Sequence, residues 1–96
     1  FLIKELIVKK NGCLSLQKHK HRSEHWLIFN GNPEITLNKK ILKPKLNDLI
    51  FIPKGSVHRI RNKYTKPVKI IEAQLGSILK ETDIIRLEDI YGRIKK

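Results

Sequence analysis

Residues 17–25 read Gln-Lys-His-Lys-His-Arg-Ser-Glu-His, and residues 53–62 read Pro-Lys-Gly-Ser-Val-His-Arg-Ile-Arg-Asn. The first stretch holds three of the four histidines and Glu24, and the second holds the remaining histidine, His58. Imidazole nitrogens and carboxylate oxygens are suitable ligands for divalent transition metals. The two stretches therefore predict a metal site built from distant parts of the chain.

The spacing within the first stretch predicts how its side chains are presented. Alternate residues of a strand point to one face, so Gln17, His19 and His21 are predicted to share a face. Glu24 follows after a predicted bend, which shifts this alternation of side chains by one residue. A histidine cluster alone is a weak signal, and a solvated basic loop with incidental histidines is the alternative interpretation.

Hydrophobic residues around these stretches recur with a period of two, which is typical of half-buried strands. Turn signals separate the segments, the strongest being Asn30-Gly31, because both residues tolerate positive φ. The tail around residues 81–89 is less regular, and Thr82 or Asp83 is predicted to cap a single helical turn. Strands are predicted at 2–10, from 14 onward, and at 24–30, 34–38, 40–42, 48–52, 57–62 and 68–75. About eight short strands favour an all-β sandwich or barrel.

The spacing of the first stretch is that of a known motif. Gly12, Gln17, His19, Glu24 and Gly31 follow one another with four, one, four and six residues between them. This pattern resembles the first motif of the cupins, with glutamine at the position where most cupins have their first histidine.

The second stretch resembles the second cupin motif. Pro53, Gly55, His58 and Asn62 stand at the positions that the motif requires. Asn47 occupies the place where the motif often opens with glycine, a departure expected to affect only a turn. The resemblance implies a cupin, that is, a double-stranded β-helix or jelly-roll barrel.

A narrower resemblance covers nearly the whole chain, so residues 1–96 are expected to form one cupin domain. The stretches Leu14–Trp26, Pro53–Arg59 and Glu88–Arg93 resemble the C-terminal cupin of type II mannose-6-phosphate isomerases. In that family an N-terminal nucleotidyltransferase domain makes GDP-mannose, and the cupin interconverts mannose 6-phosphate and fructose 6-phosphate. The resemblance implies an isomerase that serves GDP-mannose and polysaccharide precursor biosynthesis, without guanylyltransferase activity of its own.

The resemblance also implies a ligand set, namely Gln17, His19, Glu24 and His58. Glutamine and neutral histidine bring no charge, so one glutamate leaves a divalent metal with a net charge near +1. Such an ion can polarise a sugar carbonyl as a Lewis acid. Zinc is the expected metal, with cobalt, nickel, manganese and iron as alternatives.

Three residues are the candidates for catalysis. Arg22 is expected to contact the substrate, with a surface charge as the alternative. His21 is either a fifth ligand or proton carrier, or a histidine behind the ligands or in solvent. Glu72 and Gln74 are expected to face the barrel interior, where the carboxylate would be a proton relay or a packing partner for a buried arginine.

Structural roles are predicted for His25, Trp26 and Cys13. His25 follows Glu24 and is predicted to point to the opposite side of the strand, and Trp26 is expected in the core. Cys13 is interpreted as a small buried hydrophobe. Arg93 and Lys95 are either phosphate ligands or solvated tail residues.

Composition restricts the partners of the chain. It has 96 residues and a net charge of +12, and its lysines are predicted to lie mainly on the outer faces of strands. Binding of an anionic substrate is an alternative explanation for the positive charge, whereas no arginine-rich helix or aromatic pair indicates nucleic acid.

No apolar run approaches the ~20 residues that span a bilayer. The first residues do not resemble a signal peptide, and the lone Cys13 suits the reducing cytoplasm.

Two other functions remain open from the sequence. One alternative is a non-catalytic cupin that binds a sugar phosphate or sugar nucleotide, or a detached partner domain of a mannose-1-phosphate guanylyltransferase. The chain can also be read as another metal-dependent cupin enzyme, because the fold hosts many chemistries. A homodimer is expected in each case.

Overall fold

The computed structural model describes residues 1–77, 79 and 85–88. Nine strands lie in this part of the chain, in agreement with the expected all-β class. Their bounds are β1 Leu2–Val8, β2 Leu16–Lys18, β3 Arg22–Asn30, β4 Glu34–Leu37, β5 Lys40–Leu42, β6 Leu49–Ile52, β7 Val57–Arg61, β8 Val68–Gly76 and β9 Ile85–Glu88.

The strands form two antiparallel sheets. One sheet has the order β1-β8-β3-β6, and the other has the order β5-β4-β7-β2-β9. Except for the β4–β5 hairpin, successive strands alternate between the two sheets, so the chain winds around a common interior. This winding is the double-stranded β-helix that the sequence predicts.

Alternation along the two longest strands divides that interior into two ends. β3 buries Arg22 and Glu24 and then Trp26 and Ile28, while β8 buries apolar residues first and polar residues near its end. The antiparallel register sets Ile28 against Ile70 and Glu24 against Gln74. The barrel therefore has an apolar end that stabilises it and a polar end that is available for chemistry.

The apolar end contains the hydrophobic core. Its side chains are at most 3% exposed, and burial of each stabilises the fold by roughly 1.5–3 kcal/mol. The buried members of this cluster are Val8, Trp26, Ile28, Ile35, Ile52, Ile60, Val68 and Ile70.

Residues that tolerate positive φ form the tight connections. Gly31 has a φ of 81°, and a Cβ there would lie 2.5 Å from the carbonyl oxygen of Pro67, so a side chain is excluded on both grounds. Asn47 has a φ of 72°. Asparagine is among the residues that adopt this conformation most readily, which explains why it can stand in place of the motif's glycine.

Asn62, the last residue of the second motif, has a structural role. Its buried side-chain amide donates to the carbonyl oxygens of Val8 and Lys66, at 3.0 and 2.9 Å, and its Oδ1 accepts from the backbone N–H of Tyr64. These bonds join the end of β1 to the turn between β7 and β8.

The structure corrects two predictions about strands. β2 ends at Lys18, so no strand extends through His19 and His21; the chain must leave the five-stranded sheet there to enter β3 in the other sheet. The tail forms a strand, β9, at 85–88, which the sequence did not predict. Thr82 and Asp83, the predicted helix caps, lie outside the described residues.

Most of the described lysines are exposed, as predicted, but Lys4 is an exception. On β1 the residues in phase with Val8 point inward, and Lys4 is one of them, whereas Ile3 and Ile7 are more than half exposed. Strict alternation does not reveal which face is inside. Here the burial of Val8 in the core fixes the phase of the whole strand.

Candidate metal centre

Three predicted ligands converge at the polar end of the barrel. His19, Glu24 and His58 are 3%, 2% and 4% exposed, and one potential ligand atom from each lies within 4.8 Å of the others. The Nε2 atoms of His19 and His58 lie 3.4 and 3.9 Å from the two carboxylate oxygens of Glu24. The donors are close enough together for one ion to contact all three.

The second motif holds His19 in place. The backbone N–H of Gly55 donates to the carbonyl oxygen of His19 at 2.9 Å, and Gly55 has a φ of 79°. Ser56 donates from its hydroxyl to the carbonyl oxygen of Pro53, which closes this turn. The proline–glycine turn therefore supports a candidate ligand that lies more than 30 residues earlier in the sequence.

His58 points into the barrel from β7, in the sheet opposite Glu24. Its Nδ1 lies 3.3 Å from the carbonyl oxygen of Ser56, which orients the ring so that Nε2 faces Glu24. Burial lowers the pKa of the imidazole below its usual range, although the charge of Glu24 opposes this effect. A neutral ring with an accepting Nε2 is the form that binds a metal.

The carboxylate of Glu24 is held from two directions. Arg22 donates from Nε to Oε2 at 2.8 Å, and Trp26 donates from Nε1 to Oε1 at 3.0 Å. A buried carboxylate without such partners would incur a large desolvation cost. Arg22 also lies 3.2 Å from Nε2 of His19 through its Nη2 atom. Its guanidinium thus compensates charge within the candidate centre.

Gln17 occupies the position expected of a fourth ligand. It is the cross-strand partner of His58, so their side chains lie on the same face. Its Nε2 donates to the hydroxyl of Ser15 at 2.7 Å. With the nitrogen engaged in this way, the amide oxygen is the atom left to act as a ligand. Two imidazoles, a carboxylate and an amide oxygen fit a divalent metal.

A cavity of about 210 Å³ opens onto these residues. The four expected ligands, Arg22 and Glu72 all line it, together with Lys4 and Gln74. The structure thus brings six of the seven predicted site residues to one place. Lys4 was not predicted, and its only signal in the sequence was a charge in phase with the apolar residues Leu2, Leu6 and Val8.

Glu72 is the second buried carboxylate of the cavity. Burial raises its pKa above the usual range, and the negative charge of Glu24 raises it further. Gln74 donates from its side-chain amide to Glu72, which opposes the rise. Among the described residues, the Oε1 atom of Gln74 has no hydrogen-bond partner.

The remaining candidates lie elsewhere. His21 is exposed in the turn before β3 and does not line the cavity. His25 points outward, as its parity predicts, and its ring lies 4.8 Å from that of Phe51. Trp26 and Cys13 are buried, as expected. Arg93 and Lys95 lie outside the described residues.

Solved structures with the same architecture support the assignment of the fold. A double-stranded β-helix protein from Klebsiella pneumoniae matches with a TM-score of 0.78 and 15% identity, covering 91% of this chain and 74% of its own. A cupin 2 domain-containing protein from Halorhodospira halophila gives a TM-score of 0.74 at 15% identity, covering 81% and 53%. The fold is that of a cupin. No described helix is long and apolar enough to cross a bilayer.

Sequence relatives identify the family. The alginate biosynthesis protein AlgA of Pseudomonas fluorescens is 48% identical over 97% of this chain and 19% of its own length. A mannose-1-phosphate guanylyltransferase of Klebsiella pneumoniae is 42% identical over 97% of this chain and 20% of its own. The chain thus spans about a fifth of the length of these relatives. The family described as mannose-6-phosphate isomerase C-terminal matches residues 1–89, and the chain belongs to it.

Proposed function

We propose that this chain is a metal-dependent isomerase domain that interconverts mannose 6-phosphate and fructose 6-phosphate. One observation carries the proposal: the cavity joins a buried set of metal-type donors to a second buried carboxylate, Glu72. Moving a proton between C1 and C2 of a sugar requires a base and a means of stabilising negative charge on oxygen. Family membership supports the same reaction.

Gln17, His19, Glu24 and His58 would hold the metal, and zinc is the proposed ion. Cobalt, nickel, manganese and iron also accept this mixture of nitrogen and oxygen ligands. When bound, the ion supplies Lewis-acid polarisation of the sugar's carbonyl and hydroxyl oxygens. Arg22 and Trp26 hold the carboxylate of Glu24 in a fixed orientation, as the groups behind metal ligands commonly do.

Glu72 is the proposed proton carrier. It is 5% exposed and lines the cavity. Its pKa is raised toward neutral pH, and a general base is most effective when its pKa lies near the working pH. Arg22 adds a fixed positive charge beside the cavity, which favours negative charge on an oxygen of the substrate. His21, exposed on a turn, has no role in this scheme.

The relatives' names indicate the setting of this reaction. They refer to alginate biosynthesis and to a mannose-1-phosphate guanylyltransferase, so we infer that the chain serves GDP-mannose and polysaccharide precursor supply in the cytoplasm. We further infer that it works beside a nucleotidyltransferase domain, on the same polypeptide or on a separate one. The alternative is a domain that binds a sugar phosphate for that partner without turning it over.

A second copy of the chain is the proposed partner for the outer face of the β1-β8-β3-β6 sheet. Six large apolar side chains on this face are 39–64% exposed: Ile3, Ile7, Leu49, Phe51, Ile71 and Leu75. The four strands have 7, 9, 9 and 4 residues. At about 3.3 Å per residue and about 4.8 Å between strands, the flat area of this face is roughly 450 Å². A standard interface needs about 800 Å² per partner, a similar magnitude. Among the outward residues of these four described strands, only Glu5 and Lys69 are charged, so this face also reduces repulsion between two copies of net charge +12.

A coupled assay of fructose 6-phosphate formation from mannose 6-phosphate tests the proposed reaction. It should be run on metal-loaded protein beside a His58→Ala variant and a Lys18→Ala control from the adjacent strand. Turnover that survives in the control and disappears with His58 supports the isomerase. Folded, metal-loaded protein without turnover would contradict it and favour the binding domain.

A further inference from the structure

Gln74 carries a buried acceptor atom, Oε1, that has no hydrogen-bond partner among the residues that the structure describes. The side chain is 1% exposed and lines the cavity. A buried acceptor without a donor is unfavourable, because it has lost its hydrogen bonds to water and gained none in return. An apolar side chain of similar size would fill the same space without this cost, so packing alone does not explain a glutamine here.

The proposed proton carrier orients the amide of Gln74. The Nε2 atom donates to Oε1 of Glu72, which lies two residues earlier on β8 and on the same inward face. Because the nitrogen and oxygen of an amide share one carbon, this bond keeps the Gln74 oxygen near the Glu72 carboxylate. An amide flip would set two acceptor oxygens against each other when Glu72 is ionised, so the bonding itself assigns the unpaired atom as oxygen.

The strand register places the same amide beside the candidate metal centre. Gln74 is the cross-strand partner of Glu24 on β3, and Glu72 is the partner of Trp26 in the next row. The Cβ atoms of cross-strand partners lie about 4.5–5.5 Å apart, and the two rows are about 6.6 Å apart along the strands. The Gln74 amide therefore adjoins both the proposed proton carrier and a proposed metal ligand.

A sugar substrate supplies the kind of donor that this acceptor lacks. In the proposed reaction a proton moves between C1 and C2, and the oxygens of these two carbons are the ones that a bound metal polarises. The hydroxyl on C3 is the nearest substrate group that stays a hydroxyl throughout. An amide oxygen accepts from such a hydroxyl, whereas it forms no bond to the acceptor oxygens of a phosphate. The last torsion of a glutamine is broad, so the buried oxygen can turn towards this donor at little cost.

We propose that Gln74 accepts a hydrogen bond from the C3 hydroxyl of the hexose phosphate and so determines specificity at that carbon. This inference rests on the proposed isomerase function and names a residue that recognises its substrate. The amide then holds Glu72 through its nitrogen and the sugar through its oxygen, which positions the proton carrier against the reacting carbons. The competing interpretation is that Gln74 only supports Glu72 and that its oxygen stays unpaired when the sugar binds.

The test removes the two partners of the proposed hydrogen bond one at a time. The analogue 3-deoxymannose 6-phosphate lacks the donor, and Gln74→Met lacks the acceptor while keeping an unbranched side chain of similar length. Ser23→Ala is the matched control, because it removes a polar group next to Glu24 on the outer face of the same sheet. Calorimetry gives the affinity of each metal-loaded protein for both sugar phosphates, and proton NMR follows turnover of both without coupling enzymes.

We expect the wild type and Ser23→Ala to bind mannose 6-phosphate roughly tenfold or more tightly than the analogue, because only the parent sugar pairs the buried acceptor. Gln74→Met should bind both sugars nearly equally, and its turnover should slow equally on both, because Glu72 has lost its donor. The proposal is overturned if the wild type binds neither sugar or both equally, or if its preference persists in Gln74→Met. Wild-type protein that prefers mannose 6-phosphate without turning it over would refute the isomerase but not the recognition of C3.

Discussion

Gln17 and His58 lie directly opposite each other where β2 pairs with β7, although 40 positions separate them in the sequence. Cross-strand partners project to the same face, so one backbone register delivers an amide and an imidazole to the same side of the barrel. Glu24 approaches His58 from the opposing sheet. The candidate centre therefore depends on the docking of the two sheets as well as on the ligands themselves.

Replacement of Gln17 should weaken metal binding without unfolding the domain. We expect Gln17→Ala to reduce zinc affinity by at least roughly tenfold, because one oxygen donor is lost, and even loss of a group behind a ligand typically costs about 10–100-fold. Gln17→His should retain or increase the affinity. Chelator competition gives both values, and Lys18→Ala, on the same short strand, is the control. Equal affinity in Gln17→Ala and the wild type would remove Gln17 from the ligand set.

Arg22 should be essential for the stability of the metal-free protein. Its guanidinium pairs with the Glu24 carboxylate at 2.8 Å, and both side chains are at most 5% exposed. Removal of one partner of a buried pair typically costs about 3–5 kcal/mol, because an uncompensated charge remains. We expect Arg22→Met to lower the free energy of unfolding by that amount in urea titrations. The double variant Arg22→Met, Glu24→Gln should recover part of the loss; no recovery would show that the loss arises from packing.

The lowered pKa of His58 predicts a stability that falls on mild acidification. In the metal-free protein, burial keeps this imidazole neutral at pH values where the unfolded chain, with an ordinary value of 6.5, already takes up a proton. The unfolded state then binds more protons than the folded state, so the free energy of unfolding decreases as the pH falls below about 6.5. Glu72, whose pKa is raised, contributes with the opposite sign.

The comparison with His58→Gln isolates this effect. Glutamine does not titrate, so the slope of unfolding free energy against pH just below 6.5 should be smaller in the variant. Urea titrations at several pH values between 5 and 8 provide the slopes, with Lys18→Ala again as the control. Identical slopes in the wild type and His58→Gln would contradict a depressed pKa for this residue.

The sequence predicted which donor side chains converge better than it predicted the groups that hold them in place. The resemblance to the two cupin motifs implied that His19, Glu24 and His58 would meet, and the structure brings these three side chains together. The prediction for His21 depended on the strand continuing past Lys18, and the crossing between sheets ends that strand instead. Sheet crossings are set by long-range docking, which a local period of two does not encode.

Lys4 shows the same limit of a prediction made from the local pattern. Alternation in β1 is equally compatible with either face pointing inward, and the usual preference of lysine for solvent favoured the wrong one. Packing of Val8 against the core decides the phase. As a result one lysine enters the cavity, and Ile3 and Ile7 are left exposed on the outer sheet face.

This outer apolar face should hold two copies of the chain together. Ile71 lies near its centre on β8, opposite Glu5 on β1 and Leu27 on β3, and it is 39% exposed. We expect Ile71→Lys to convert a dimer to a monomer at micromolar concentration, because a buried unpaired ammonium is strongly unfavourable. Light scattering gives the mass. Ile41→Lys is the matched control, since Ile41 is 61% exposed but lies on β5 in the other sheet. A monomeric wild type would contradict the dimer, and a dimer that survives Ile71→Lys but not Ile41→Lys would place the interface on the other sheet.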